Sequence, residues 1–248
     1  MIPIRDHNPS GKTPYVTYVL IAVNVLVFLG YANLLGNPAA LAAFFDRWAL
    51  FPVRLSEGRD IHGLLTSMFL HGGWMHLLGN MLFLYIFGDN LEDEMGHSRY
   101  LLFYLASGVA AGLIHAASDP ISTVPTVGAS GAIAGVMGGY LLLYPKAKVD
   151  ILFIFVIFFR IFSIPAWICL GVWFALQLFN GVGSDPTLGG VAYWAHASGF
   201  LVGIALTLPV WLRRGGRGHW QSTSGRPPHP EAKYKMTRSR IPRVPKRR

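Results

Sequence analysis

The stretch TVGASGAIAGVMGGYLLLYP, residues 126–145, is typical of a membrane-spanning helix that opens with a polar side chain. Half of its residues are Ala, Ile, Val, Met or Leu, and about 20 apolar residues are needed to cross a hydrocarbon core about 30 Å thick. Its start, however, places the hydroxyl of Ser130 among small residues. Because polar side chains are costly inside lipid, Ser130 needs a hydrogen-bonding partner or a chemical role.

The composition places the whole chain in the membrane class. Of its 248 residues 52% are hydrophobic and 13% charged, whereas about a quarter of the residues in soluble domains are charged. The sequence predicts an all-α, polytopic membrane protein with six transmembrane helices. The apolar windows lie near 14–36, 63–88, 98–117, 127–145, 161–180 and 190–212. Arg160 precedes the fifth window, and we expect the apolar residues before it to lie along the membrane surface or dip into it.

Basic residues are concentrated at the C-terminus. Residues 213–248 hold nine arginines and three lysines against one acid, Glu231, whereas the rest of the chain is close to neutral. We expect an N-terminal segment at 1–13, a membrane domain at 14–212 and a disordered basic tail at 213–248 that faces anionic lipids. Nucleic acid is not an expected partner, because the tail lacks a recognition motif and interleaved aromatics.

An even number of spans puts both termini on one side of the membrane. With the termini inside, the inner segments carry six basic residues before the tail, against three in the outer loops. Because Lys and Arg are enriched in cytoplasmic loops, the sequence predicts cytoplasmic termini, most simply in a bacterial inner membrane. The first outer loop, near 37–60, contains FFDRWALFPVRL and is either an interfacial hairpin or a solvated loop.

Polar side chains from three spans are expected at one depth. His76 and Asn80 share a face of the second span, Ser130 starts the fourth, and His196 lies on the sixth. Counted from the cytoplasmic ends at about 1.5 Å per residue, Ser130, His196 and His76 each lie roughly 20–25 Å up. The spans therefore bring a hydroxyl, an imidazole and hydrogen-bond donors to one level below the outer surface.

Such a set of groups suits acyl transfer by an activated serine. His196 would take the proton of Ser130 as general base. The free N–H groups at the start of the fourth helix, with His76 and Asn80, would stabilise the oxyanion. No Asp or Glu lies within the spans, so the sequence predicts a Ser-His dyad without an acidic third member. Neither a metal nor another cofactor is expected, because no His-Glu-x-x-His pair occurs.

Pairs of glycines four residues apart occur on the fourth and sixth spans. Gly131 with Gly135, and Gly199 with Gly203, have the spacing that close helix packing requires. Packing alone accounts for this spacing. A tight approach of the two helices would also bring His196 to Ser130.

Four motifs together resemble those of the rhomboid intramembrane serine proteases. GASGAIAG (128–135) fits Gly-x-Ser-Gly, and AHASGFLVG (195–203) fits Ala-His-x-x-Gly-x-x-x-Gly. HGGWMHLLGN (71–80) is similar to the family's His-x-x-x-x-His-x-x-x-Asn pattern, and GDNLEDEMG (88–96) to its Gly-x-x-x-Glu-x-x-x-Gly signature. The resemblance implies a six-helix rhomboid bundle.

The resemblance also implies roles for single residues. Ser130 would be the nucleophile, His196 the base, and His76 and Asn80 the oxyanion donors beside the backbone amide of Ser130. Structural roles near the site are implied for His71, Gly128, Gly131, Gly199, Gly203 and Glu92, of which Glu92 would tie helix ends together.

The fifth helix is implied to lie in PAWICLGVWFALQ (165–177), where it flanks a lateral opening for substrate together with the second helix. Trp173 would be a substrate gate residue there, or a lipid-facing aromatic. Ala134 stands where some members have an aromatic that stacks on the catalytic histidine.

The function expected from these residues is that of a serine-type endopeptidase that cleaves transmembrane segments of membrane proteins near the outer face. The alternative is a catalytically inactive rhomboid-like protein that binds transmembrane helices. A transporter is disfavoured, because no charged pathway crosses the spans.

Overall fold

The computed structural model describes residues 2–155, 158–183, 190–232 and 234. It is mostly helical. Within the described residues the helices are α1 (Tyr15–Tyr31), α2 (Pro38–Trp48), α3 (Pro52–Ser56), α4 (Gly63–Thr66), α5 (Trp74–Met95), α6 (His97–Ser118), α7 (Ser130–Leu143), α8 (Ala166–Gly183), α9 (Tyr193–Arg213) and α10 (Arg217–Thr223). The strands are β1 (Ile2–Asp6), β2 (Lys148–Phe155) and β3 (Phe158–Pro165).

Four described helical segments are long and apolar enough to cross a membrane: Tyr15–Gly36, His97–Ser118, Ala166–Gly183 and Tyr193–Arg213. Helix α7 is apolar but has only 14 residues, and α5 has 22 residues with an acidic C-terminal end. The prediction of an integral membrane protein is confirmed by these helices.

Helix α7 lies at the centre of the bundle, and most of its residues are buried. It contacts α5, α6, α8 and α9. A central helix surrounded by others is shielded from solvent and lipid on all sides, which explains why its apolar residues show no one-sided pattern.

The parallel helices α7 and α9 touch through their backbones. A Cβ atom on Gly203 would lie 2.0 Å from the carbonyl oxygen of Gly135, and one on Gly199 would lie 2.2 Å from that of Gly131. Such distances leave no room for any side chain, so the glycines permit this crossing. The spacing that predicted close packing therefore corresponds to a direct contact between these two helices.

The segment before α8 differs from the prediction. Residues 161–165 belong to β3, and α8 begins at Ala166, so the fifth apolar window starts too early. The described residues before Arg160 belong to β2 and to the start of β3, in an antiparallel sheet of order β1-β2-β3. This run is rich in aromatic and β-branched residues, which favour strands. Its pairing partner β1 comes from the N-terminus, far away in the sequence, so the local pattern does not reveal it.

The C-terminal segment is folded in its first part. Helix α9 ends at Arg213 and α10 follows, with the indole nitrogen of Trp220 donating to the carbonyl oxygen of Leu142 at 2.9 Å. The Trp211 and Trp220 rings lie 4.9 Å apart. The prediction of disorder from residue 213 is therefore wrong for α10. The average composition of this segment is polar and basic, but Trp211 and Trp220 pack against each other and bury apolar surface. Residues 235–248 lie outside the described residues.

The first outer loop of the prediction contains the short helices α2 and α3. Leu50 pairs with Thr126 in an isolated antiparallel bridge. This bridge ties the segment to the residues that lead into α7, close to Ser130.

Candidate active site

Ser130 and His196 form the centre of the site. Ser130 is the first residue of α7, and His196 lies in the first turn of α9. Its imidazole Nε2 is 2.7 Å from the Ser130 hydroxyl oxygen. The two parallel helices start at the same level, so the glycine contacts between them set this distance.

The second ring nitrogen of His196 is held by α8. Nδ1 lies 2.9 Å from the amide oxygen Oε1 of Gln177, a buried side chain. Because an amide oxygen only accepts, the proton lies on Nδ1 and Nε2 is free to accept from Ser130. The sequence analysis did not single out Gln177. The sequence feature that could have identified Gln177 is the spacing in WFALQ (173–177), which places it one helical turn after Trp173.

Trp173 packs against the same imidazole. The two rings are stacked, with centroids 6.0 Å apart and an interplanar angle of 30°. Trp173 is half-buried, so this contact involves part of its surface, and its role as a substrate gate or a lipid-facing aromatic stays a prediction. Ala134 is buried on α7, and the aromatic ring beside the histidine comes from α8 instead.

His76 borders the Ser130 hydroxyl from α5. A Cβ atom on Gly128 would lie 2.9 Å from His76 Nε2 and 3.3 Å from Ser130 Oγ, so only a glycine fits between them. Gly128 also has a φ of +135°, which other residues rarely adopt. The backbone N–H of Gly72 donates to His76 Nδ1 at 3.3 Å, which leaves Nε2 as the nitrogen that carries hydrogen. A donor therefore faces the space next to the serine.

Asn80 lies one turn further along α5. Its amide nitrogen donates to the carbonyl oxygen of His76 at 3.0 Å, so part of its donor capacity is used within its own helix. An amide carries two hydrogens, and the second stays available on the cavity side.

His71 supports this arrangement from behind. It is fully buried, and the Tyr31 hydroxyl both accepts from its backbone N–H at 2.6 Å and donates to its carbonyl oxygen at 2.8 Å. Its ring meets the His76 ring edge to face at 5.1 Å. His71 therefore limits the positions open to the His76 imidazole.

Glu92 lies far from Ser130, at the other end of α5. Its carboxylate accepts from the backbone N–H groups of Val16 and Thr17, each at 2.8 Å, and from the Thr17 hydroxyl at 2.7 Å. It thereby caps the free N–H groups at the start of α1. Glu92 joins two helix ends and has no direct contact with the site.

A cavity of about 1810 Å³ opens beside Ser130. Among the side chains that line it are Ser130, His196, His76, Asn80 and Trp173. Polar groups at membrane depth are tolerated where they line a water-filled cavity. The serine, the imidazole and the donors of α5 therefore share one space that can hold a peptide segment.

A sequence profile of the Rhomboid domain matches residues 58–213, which include Ser130, His196, His76 and Asn80. The chain belongs to the rhomboid family. The family predicted from the motifs is thereby confirmed.

Several proteins named as rhomboids are similar to this one. Rhomboid protein 1, mitochondrial, of Saccharomyces cerevisiae is 31% identical over 195 residues, which cover 76% of this chain and 51% of the yeast protein. Rhomboid protease GluP of Bacillus subtilis is 34% identical over 202 residues, which cover 81% of this chain and 36% of the relative. This rhomboid therefore matches about half or less of the length of these relatives.

Proposed function

We propose that this rhomboid is an intramembrane serine endopeptidase that cleaves transmembrane segments of other membrane proteins. The observation that carries the proposal is the 2.7 Å contact between His196 Nε2 and Ser130 Oγ at the wall of a cavity among apolar helices. A relative named as a protease, GluP, adds support from the family.

Nucleophilic attack is the first step. Ser130 Oγ bonds to the carbonyl carbon of the scissile peptide while its proton passes to His196 Nε2. The hydrogen bond from Nδ1 to Gln177 keeps the imidazole in the tautomer that accepts this proton. No carboxylate takes part in this step.

The negative oxygen of the tetrahedral intermediate needs donors. The backbone N–H of Ser130 has no partner within the helix, because the first N–H groups of a helix are unused. His76 Nε2–H faces the same space, and Asn80 adds an amide hydrogen from the next turn of α5. Fixed donors of this kind stabilise an oxyanion strongly in a site that excludes bulk water.

Breakdown of the intermediate completes the reaction. The C–N bond breaks, and His196 returns the proton to the leaving amine, which leaves an acyl ester on Ser130. A water molecule in the cavity, deprotonated by the same imidazole, then hydrolyses the ester.

The length of α7 sets the depth of cleavage. Fourteen residues span about 21 Å, less than the hydrocarbon core of about 30 Å. Ser130 at one end of α7 therefore lies below the membrane surface, and water reaches it through the cavity. A substrate helix must unwind to expose its amide bond, so substrates with small or helix-weakening residues near their outer ends are favoured.

We also propose that α1, α5, α6, α7, α8 and α9 are the six spans, with both termini in the cytoplasm. Because the number of spans is even, β1 and α10 lie on the same side of the membrane. The cavity beside Ser130 opens toward the other side. The excess of basic residues in the inner segments supports this orientation.

Labelling with a fluorophosphonate serine probe tests the proposed peptidase. The purified protein should label, Ser130→Ala should not, and His196→Ala should label at least about a hundredfold more slowly, because general-base catalysis contributes that much. Ser198→Ala is the matched control and should label like the parent, since within the described residues its hydroxyl donates to the carbonyl oxygen of Ala195 in its own helix, α9. Equal labelling of Ser130→Ala and the parent would overturn the assignment.

The inactive rhomboid-like alternative predicts a different outcome of the same experiment. A protein that only binds transmembrane helices would not label, although its Ser130 and His196 lie in contact. Absence of labelling in the parent, with a melting transition that shows a folded protein, would favour that alternative.

A further inference from the structure

A second cavity, of about 630 Å³, lies between α6 and α9 at the end of the bundle opposite Ser130. We call it the α6–α9 groove. Its walls are apolar along the helices, with Leu102, Phe103, Ala106, Leu206 and Val210 among the lining residues. Its mouth carries Glu94, Arg99, Arg213 and Arg214.

The charges at the mouth of the groove do not cancel. Glu94 is almost completely buried and accepts from the Tyr144 hydroxyl at 3.2 Å and from Arg214 Nε at 2.5 Å. Arg99 and Arg213 are exposed, and neither side chain has a hydrogen bond or ion pair in the part of the chain that the structure describes. Three arginines against one glutamate leave an excess of positive charge at this mouth.

The apolar walls continue from these arginines into the membrane. Leu102 is 68% exposed and Leu206 is 42% exposed, on two helices that are long and apolar enough to span the bilayer. Arginine side chains near helix ends reach the membrane interface with their charged groups. A cluster of arginines above an apolar groove between spanning helices therefore complements a molecule with an anionic head and an apolar chain.

We propose that the α6–α9 groove binds one anionic phospholipid. The phosphate lies at Arg99, Arg213 and the N–H groups of Arg214 that Glu94 leaves free. One acyl chain follows Leu102, Ala106 and Leu206. The residues of this site precede 235–248 in the sequence, and the proposal does not depend on the proposed peptidase activity.

Arginine contacts to the headgroup predict a preference for anionic lipid. The full-length protein is delipidated in a neutral detergent and titrated with dioleoyl phosphatidylglycerol or dioleoyl phosphatidylcholine, and bound lipid is counted by native mass spectrometry. Arg99→Gln and Arg213→Gln should each weaken phosphatidylglycerol binding about fivefold, the effect of one basic residue near an anionic membrane surface. Binding of the zwitterionic lipid should change little.

Arg217→Gln is the matched control. Arg217 is exposed on α10, close to the same end of the bundle, but it does not line the groove. Its substitution removes the same charge and should leave binding unchanged. Equal losses for Arg217→Gln and Arg213→Gln would overturn the proposal, because general surface charge would then attract the lipid.

Ala106→Trp tests the groove separately from the arginines. A tryptophan at this position fills the path of the acyl chain and keeps every charge, so phosphatidylglycerol binding should fall about tenfold or more. Unchanged binding in Ala106→Trp, or equal affinities of the parent for the two lipids, would overturn the proposal.

Discussion

Within the described residues, the His196 ring nitrogens bond to Gln177 and Ser130 and to no carboxylate. A neutral amide, Gln177, bonds to Nδ1, and the Trp173 ring packs against one face of the imidazole. In a Ser-His-Asp triad the third residue orients the base and also stabilises its charged form. Here the two residues that hold the imidazole come from α8, so the position of this helix controls the orientation of the His196 ring.

Gln177→Leu keeps the side-chain volume and removes the hydrogen bond. Nδ1 then loses its partner in a buried site, and we expect kcat for a transmembrane substrate to fall about tenfold to a hundredfold. KM should change little, because Gln177 is not among the described residues that line the cavity beside Ser130. Leu176→Ala, an exposed neighbour on α8, is the control and should retain the parent rate. A fall in kcat no larger than that of the control would remove Gln177 from a positioning role.

Single glycines decide how whole helices pack. Helices α7 and α9 meet backbone to backbone at four glycines, Gly131, Gly135, Gly199 and Gly203. Close backbone approach replaces side-chain packing, and this geometry matters most inside a membrane, where the hydrophobic effect does not drive helices together. The same contact sets the separation of Ser130 and His196 at its end.

Gly203→Ala should separate these helices. Its Cβ would lie 2.0 Å from the carbonyl oxygen of Gly135, so α9 must move, at a cost of about 1–3 kcal/mol in the free energy of unfolding. The rate at which the fluorophosphonate probe labels Ser130 should also fall, because α7 carries Ser130 and α9 carries His196. Gly171→Ala on α8 is the matched control, because a Cβ there meets no atom within 4 Å. Equal melting temperatures and labelling rates for the two variants would contradict this account.

At the scale of the whole molecule, the N-terminal strand joins the sheet to the bundle. Asp6 on β1 accepts from Asn90 of α5 and from Tyr140 of α7, each at 2.9 Å. Burial, together with repulsion from the Asp89 carboxylate, raises the pKa of Asp6 to about 7. Arg5 on the same strand and His7, the residue after it, bond instead to Asp150 of β2.

Asp6 makes stability depend on pH. A carboxyl whose pKa is higher in the folded than in the unfolded protein favours folding most below about pH 4, and this advantage is lost as pH rises toward 7. Asp6→Asn keeps an acceptor oxygen and removes the charge, so the variant should unfold at higher temperature than the parent at pH 8. The gain should reach roughly 2–4 kcal/mol, since one pKa unit corresponds to about 1.4 kcal/mol, and it should vanish near pH 4.

Asp150→Asn should have the opposite effect. Burial disfavours its charge, but hydrogen bonds from Ser163, His7 and Arg5 outweigh burial and lower the pKa of Asp150. Removing this carboxylate should therefore destabilise the protein at pH 8. If both variants shift the melting temperature in the same direction at pH 8, the buried charge of Asp6 is not the cause.

The proposed six spans predict which segments share a side of the membrane. In a Cys169→Ser background, which removes the single cysteine, Lys12→Cys, Arg59→Cys and Gln221→Cys introduce exposed thiols. An impermeant maleimide should label only Arg59→Cys in intact cells and all three after permeabilisation. Different labelling of Lys12→Cys and Gln221→Cys would contradict an even number of spans.

The sequence by itself determined the membrane class, the family, and the level at which Ser130, His196 and His76 meet. The membrane class follows from hydropathy and the common level from helical rise, whereas the family was predicted from the resemblance of four motifs; all of these are local properties of the chain. Gln177 stayed hidden because a glutamine four residues after a tryptophan has many possible roles until the facing helix is known.

Only the tertiary structure decided which groups hold His196, that an N-terminal strand pairs with residues 149–152, and that α10 packs beside the end of α7. Each depends on contacts between residues far apart in the chain, such as Arg5 with Asp150. Local periodicity does not encode such pairs, because their free energy appears only when both partners are brought together by the packing of the whole bundle.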